Sequence, residues 1–144
     1  MKTVKQLLRE KGSAVHTISP HATVLEALHT MAELNIGALI VVEGDQIAGL
    51  LSERDYARKG ILEGRYSKDT KVRDLMTSAV VCVSPEQTVD ACMALMTEKR
   101  VRHLPVLEGG RLAGIVSIGD ALKTIIEDQQ FTIDQLAHYI SGTP

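Results

Sequence analysis

Apolar residues recur along the chain in two rhythms, one helical and one alternating. Thr3 to Lys11 reads as a short helix, with Thr3 and Gln6 at capping-box spacing and Gly12 as a C-terminal stop. Val15-His16-Thr17-Ile18 alternates like a short strand, and Ser19-Pro20 turns the chain. Thr23 stands where a helix cap belongs, with Glu26 three residues on. Behind it Val24, Ala27, Leu28, Met31 and Leu34 form an apolar stripe. That helix is expected to end near Asn35-Ile36-Gly37, with Gly37 left-handed. Ala38-Leu39-Ile40-Val41-Val42 is a continuous apolar, β-branched run and predicts a strand buried on both faces. Gly44-Asp45 marks a hairpin turn, and Ile47 to Leu51 is the return strand. Ser52 opens a helix covering Asp55 to about Leu62, and Gly60 to Lys71 reads as helix end and linker.

The same succession then returns. Val80-Val81-Cys82-Val83 predicts a strand, and Thr88 to Lys99 a helix with Val89, Cys92, Met93 and Met96 inward. His103–Leu107 and Leu112–Val116 form a hairpin across Gly109-Gly110, and a helix runs from Asp120 to about Glu127. A separate tail helix is expected over Thr132–Ile140, with Thr132 and Gln135 at capping-box spacing. The order β-α-β-β-α is repeated, and so are the residues. Val15 to Arg58 lies on Val80 to Lys123 at one offset of 65 without a gap. Ser19/Ser84, Pro20/Pro85, Thr23/Thr88, Met31/Met96, Leu39/Leu104, Gly49/Gly114, Ser52/Ser117 and Asp55/Asp120 are among the identical pairs. A fixed period of this kind marks a duplicated structural unit. One unit is too small to bury both faces of its sheet, so two related by a pseudo-two-fold axis would share a core. The prediction is an α+β fold. A first repeat with its N-terminal helix covers residues 1–66, and a second repeat with its tail helix covers residues 67–144.

Composition narrows the function classes. The 144 residues are 44% hydrophobic and 24% charged, ordinary for a globular protein. A net charge of −2 lacks the basic excess of a general nucleic-acid binder, so no nucleic-acid partner is expected. No apolar run approaches the ~18 residues of a membrane span, and the N-terminus shows no signal-peptide pattern. Cys82 and Cys92 both sit in apolar patterns, which reads as buried free thiols and a cytoplasmic setting. His16, His21, His29 and His138 have no metal-ligand spacing, so no metal is expected. With no tryptophan, three tyrosines and one phenylalanine, any planar ligand must lie between aliphatic walls.

The chemistry concentrates in Gly49-Leu50-Leu51-Ser52-Glu53-Arg54-Asp55 and its copy Gly114-Ile115-Val116-Ser117-Ile118-Gly119-Asp120. Ser-x-x-Asp after a strand is a capping box in one reading: the Ser hydroxyl accepts from the Asp N–H and the Asp reaches back. In the other reading the same helix start favours an anion. The carboxylate, acceptor-only when ionised, then takes the two hydroxyls of a ribose. The glycines allow close approach of backbone.

This repeat resembles the cystathionine-β-synthase (CBS) domain, and the pair resembles a Bateman module. The resemblance rests on the Val-His-Thr-Ile-Ser-Pro and Val-Cys-Val-Ser-Pro openings, the Thr23/Thr88 helix starts, Ala-Leu-Ile-Val-Val, His-Leu-Pro-Val-Leu and the two Gly-x-x-Ser-x-x-Asp motifs, over about residues 4 to 127. It implies a regulatory module that binds AMP, ADP, ATP, NAD or S-adenosylmethionine, is not an enzyme, pairs into a homodimer and signals to a protein partner. It implies two ligand clefts. One pairs Ser52, Arg54 and Asp55 with Thr77, Ser78, Ala79, Val80 and Val81. The other pairs Ser117, Ile118, Gly119 and Asp120 with Ser13, Ala14, Val15 and His16, and adds Arg102, His103 and Pro105. Arg102-His103 stand where the first repeat has Gly37-Ala38, so the clefts are expected to differ, with the anion favoured at Asp120. Arg102 also reads as a solvated charge past a helix, and His103 as a strand histidine bonded to backbone. Two rival functions remain: an oligomerisation module whose Ser-x-x-Asp motifs only cap helices, and a nucleotide-processing enzyme.

Overall fold

Helix caps and hairpin turns set the elements in the computed structural model, which describes residues 1–142. In chain order they are α1 (Val4–Lys11), β1 (Thr17–Ile18), α2 (Val24–Leu34), β2 (Ala38–Glu43), β3 (Gln46–Ser52) and α3 (Glu53–Asp55). A π-helical turn over Tyr56–Ile61 extends α3. Then come α4 (Val72–Leu75), α5 (Val89–Lys99), β4 (His103–Glu108), β5 (Arg111–Ser117) and α6 (Ile118–Ser141). Thr3, Thr23 and Thr88 cap α1, α2 and α5, each hydroxyl accepting the N–H three residues on. Such a cap is worth about 1 kcal/mol.

The chain forms two compact units, Ala14–Val81 and Met1–Ser13 with the chain from Cys82 onward. In the first, β1 runs parallel to β2 and β2 antiparallel to β3, with Ala38 opposite Ser52. Val24, Ala27, Met31, Leu39, Val41, Leu51, Val72 and Leu75 make its core, and burial of each larger side chain contributes roughly 1.5–3 kcal/mol. In the second, β4 pairs with β5 in the matching register, His103 opposite Ser117. Val4, Leu7, Val89, Cys92, Met96, Leu104, Val106, Val116 and Ala121 are buried there.

These units cut the chain differently from a division at residues 66 and 67, because the backbone of α1 is bonded to the second repeat. Val4 N–H donates to the Gln87 carbonyl (2.8 Å), Lys5 N–H to Pro85 (2.9 Å), and Val89 N–H to Lys2 (2.9 Å). In the first repeat α4 does the same work: Val72 N–H donates to Ala22 (2.8 Å), Arg73 N–H to Pro20 (3.0 Å), and Val24 N–H to Thr70 (2.9 Å). Val72-Arg73-Asp74-Leu75-Met76 is thus the counterpart of Val4-Lys5-Gln6-Leu7-Leu8.

Three expectations are corrected. Residues Val80–Cys82 form no strand. Thr77 is already bridged to Leu50, Val80 N–H turns back onto the Ser78 carbonyl (3.0 Å), and only Val83 pairs, with Val106. Asn35, not Gly37, is left-handed (φ 53°), and its counterpart Arg100 shares the conformation (φ 56°). Ile36 and Val101 then donate to Met31 and Met96 (both 3.0 Å), closing each helix five residues back. The segment Gly60–Lys71 is a helix end and linker as expected, and the short helix α4 follows it. The expected break before Thr132 is absent: its hydroxyl donates to the Asp128 carbonyl (3.1 Å) inside an unbroken α6.

Candidate functional site

Each hairpin delivers its Ser-x-x-Asp motif to the start of a helix. In the Ala14–Val81 unit, Ser52 Oγ accepts the Asp55 N–H (3.1 Å). Asp55 Oδ2 accepts the Ser52 N–H (3.0 Å) and hydroxyl (3.1 Å). The other oxygen, Oδ1, meets the Thr77 hydroxyl at 3.5 Å and lies 3.9 Å from Lys59 Nζ. The Asp55 side chain is only 19% exposed, so these polar atoms are partly withdrawn from water. Thr77 is brought here by a two-way backbone bridge with Leu50, both bonds 2.9 Å. Gly49 permits the approach: a Cβ there would stand 2.6 Å from Met76 Sδ and 2.8 Å from the Thr77 carbonyl. Ser78 and Ala79 are exposed and Val81 half-buried. Arg54 is exposed on the first turn of α3.

In the second unit the motif is built alike and then answered by a different group. Asp120 N–H donates to Ser117 Oγ (3.1 Å), and Asp120 Oδ2 accepts the Ser117 N–H (2.9 Å). Lys11, at the end of α1, donates to the same Oδ2 at 2.6 Å and to the Ile115 carbonyl at 2.8 Å. The two side chains are 30 and 26% exposed, so the pair is poorly screened. Burial pushes the Asp120 carboxyl up, but the Lys11 hydrogen bond, the Ser117 N–H and the Lys11 charge outweigh it and hold the group below its ordinary value. Gly114 lies under α1, where a Cβ would stand 2.8 Å from the Leu8 side chain.

Arg102 is exposed just before β4, and its carbonyl accepts the Ile118 N–H (2.8 Å), which ties it to the first turn of α6. Gly37 does the same for Glu53 in the first unit (3.1 Å). His103 faces Ser117 across the β4–β5 ladder. Gly119 is exposed, whereas Pro105 is buried in β4, its carbonyl accepting the Val83 N–H (3.0 Å). Ser13 is exposed at the end of the Met1–Ser13 segment. Ala14 and His16 belong to the other unit, where the His16 carbonyl accepts the Ile40 N–H (3.3 Å). Sequence reasoning missed Lys11. Its one signal was the α1/α4 likeness, which sets α1 against the second repeat.

The remaining chemistry is sparse. Burial pushes both the Cys82 and Cys92 thiols up, away from the thiolate a nucleophile needs. Among the described residues no group of three His, Cys, Asp or Glu side chains is placed to hold a metal ion. Among them, too, no helix is long and apolar enough to cross a membrane.

The comparisons with known proteins agree with this architecture. The family model for the CBS domain matches twice, over residues 4–60 and 72–127. The CBS domain-containing protein CBSX3, mitochondrial, of Arabidopsis thaliana is 38% identical, over 97% of this chain and 72% of its own length. The structure of a putative signal-transduction protein with CBS domains from Burkholderia ambifaria is 53% identical with a TM-score of 0.85, covering 92% of this chain and 99% of that one. CBSX2, solved in complex with AMP, shares the fold at 23% identity and a TM-score of 0.70, over 90% of this chain and 99% of its own. With the family model matching both repeats, the chain belongs to the CBS-domain family and carries two CBS domains in tandem.

Proposed function

We propose that this tandem CBS protein is a regulatory module, not an enzyme, whose Asp55 and Asp120 bind the ribose of an adenosine nucleotide such as AMP, ATP or NAD. The observation that carries the reading is the division of labour within each carboxylate. The capping bonds fall on one oxygen, Oδ2, in both motifs. The outer oxygen of Asp55 meets the Thr77 hydroxyl at 3.5 Å and Lys59 Nζ at 3.9 Å, and at Asp120 the Lys11 bond falls on Oδ2 as well. An ionised carboxylate has about four acceptor positions, so capping leaves capacity for ribose hydroxyl donors. Both aspartates are half-buried, where such bonds are stronger than in water. Ser52, Arg54, Thr77, Ser78, Ala79 and Val81 complete the first site. Ser13, Arg102, His103, Ser117, Ile118 and Gly119 surround the second, with Lys11 added and buried Pro105 as wall. AMP bound to CBSX2, a protein of this fold, is in keeping with the ligand class. The working form is a homodimer in the cytoplasm that passes the ligand state to a protein partner.

The complete capping boxes favour a second reading, in which the motifs only hold helices and the module serves oligomerisation. Titration calorimetry with AMP, ATP and NAD, on wild type, Asp55→Ala and Asp120→Ala, separates the two. The nucleotide reading expects heat of binding that each alanine removes at its own site. A folded wild-type protein that binds none of the three, with no nucleotide released on denaturation, leaves the structural reading.

A further inference from the structure

The second half of α6 leaves the body of its unit. After Thr124 no side chain of this helix is buried, although the helix runs on to Ser141. Yet it is not a polar helix. Ile126, Ile133, Leu136 and Ile140 are 61, 57, 56 and 82% exposed, and Leu122 precedes them on the same line. Large aliphatic groups so exposed at regular spacing need a cover.

We propose that this stripe pairs with the same stripe of a second copy, as a parallel two-stranded coiled coil over Leu122–Ile140. The spacing selects the geometry. Leu122, Ile126, Gln129, Ile133, Leu136 and Ile140 recur by alternating steps of four and three, the heptad rhythm. The isoleucines fall on one heptad position and the leucines on the other. β-Branched residues at the first and Leu at the second favour two parallel strands. Gln129 interrupts the apolar line. In parallel register its amide meets its own copy and can bond to it, whereas antiparallel pairing sets it against an aliphatic side chain.

Charge and area point to the same occupant. The positions flanking the seam are Lys123, Ile125, Gln130, Thr132, Ala137 and Tyr139, so only one of six is charged. The acids Glu127, Asp128 and Asp134 fall on the outer positions of the heptad, away from a copy. A specific interface buries about 1,200 Å² or more in total, and the surface on offer here is five large aliphatic side chains, 46 to 82% exposed, along Leu122–Ile140 with their flanks. Midway along the stripe, Gln129 and Ile133 join Ile125 and Phe131 of α6, and Met1, Lys2 and Gln6, in lining a groove of about 690 Å³.

This deepens the homodimer part of the functional reading and rests on it, while standing apart from the nucleotide. The test uses the full chain carrying Cys82→Ser, so that the half-buried native thiol does not compete. Ile133→Cys and Asp134→Cys are oxidised side by side. Parallel pairing sets the two thiols of the Ile133→Cys protein face to face. They should link at least about tenfold faster than those of the Asp134→Cys protein, while equal rates overturn the proposal. Sedimentation equilibrium of Ile133→Asp/Leu136→Asp, its fold checked by circular dichroism, should show a dissociation constant raised about tenfold or more, ~1.4 kcal/mol. A dimer unchanged by that pair of aspartates keeps the homodimer and overturns the coiled coil. A wild-type chain that stays monomeric at its solubility limit, or whose stripe is covered only by another protein, overturns both.

Discussion

Replacing Lys11 by methionine removes the ammonium and keeps most of the side chain's bulk. The wild-type ammonium bonds Asp120 Oδ2 at 2.6 Å and the Ile115 carbonyl at 2.8 Å. An exposed ion pair contributes ~0–1 kcal/mol, and stripping one partner from a fully buried pair costs about 3–5 kcal/mol. With 30 and 26% exposure this pair lies between those limits. One charge-assisted bond, worth about 1.5–3 kcal/mol, discounted for partial solvation, gives a loss of roughly 1–2 kcal/mol. For a chain of this length that lowers the melting temperature by roughly 3–10 °C. The pH dependence has a fixed sign. Asp120 has a depressed carboxyl in the folded state, so its stabilisation is present above the unfolded value near ~3.9 and is lost as pH falls through the folded value. The gap between wild type and Lys11→Met should be full at neutral pH and should close in acid below the ordinary carboxylate range. Scanning calorimetry of both proteins across that range is the assay. Equal melting temperatures at neutral pH, or a gap that persists undiminished in acid, refute the reasoning.

Further substitutions probe the frame around the motifs. Gly49→Ala puts a Cβ 2.8 Å from the Thr77 carbonyl, a backbone atom that cannot swing away. It should cost about 1–3 kcal/mol in urea unfolding. Gly114→Ala has as its nearest neighbour the Leu8 side chain, which can shift, and should cost less, with the reverse order counting against the account. Arg100→Gly relieves a left-handed non-glycine residue (φ 56°) and should raise stability by roughly 0.5–1 kcal/mol, read as a higher urea midpoint. Thr88→Ala removes the α5 cap and should lower stability by about 1 kcal/mol, with no change in nucleotide affinity by calorimetry.

What the sequence made legible was what local rules dictate. Thr3, Thr23 and Thr88 cap helices because a short hydroxyl one residue before an apolar stripe has the N–H groups of the first turn within reach. The two hairpins and both Ser-x-x-Asp boxes followed from turn chemistry and were doubled by the repeat. What escaped depended on partners distant in sequence. The α4 segment hides because its likeness to α1 runs at an offset of 68, out of step with the 65-residue repeat. Lys11 reaches an acid 109 residues away, which no local pattern encodes. The unformed strand at Val80–Cys82 is propensity overruled by the Thr77–Leu50 bridge. The left-handed Arg100 had no composition cue, because arginine is not a residue that turns usually select.

The two motifs share a frame and differ in how closely a lysine ammonium approaches the carboxylate, and on the proposed reading that difference would order their ligands. The frame is the same at each: Ser-x-x-Asp box, close-lying glycine, and a carbonyl from residue 37 or 102 on the helix start. At Asp55 the nearest ammonium, Lys59, stands 3.9 Å away on the same helical segment and is 44% exposed. At Asp120 the ammonium of Lys11 is within bonding distance, and the backbone of the exposed Arg102 is tied to the first turn of α6. Lys11 therefore offsets the Asp120 carboxylate charge at close range, while water screens much of what Lys59 supplies. On the proposed nucleotide reading, a phosphate should gain more where the ammonium is within bonding distance, at Asp120, whereas a ribose alone should distinguish the two much less. Adenosine and AMP separate these contributions. The added phosphate should tighten binding more in Asp55→Ala, which retains the Asp120 site, than in Asp120→Ala. Equal gains in the two variants would show that the cations around Asp120 do not reach the ligand.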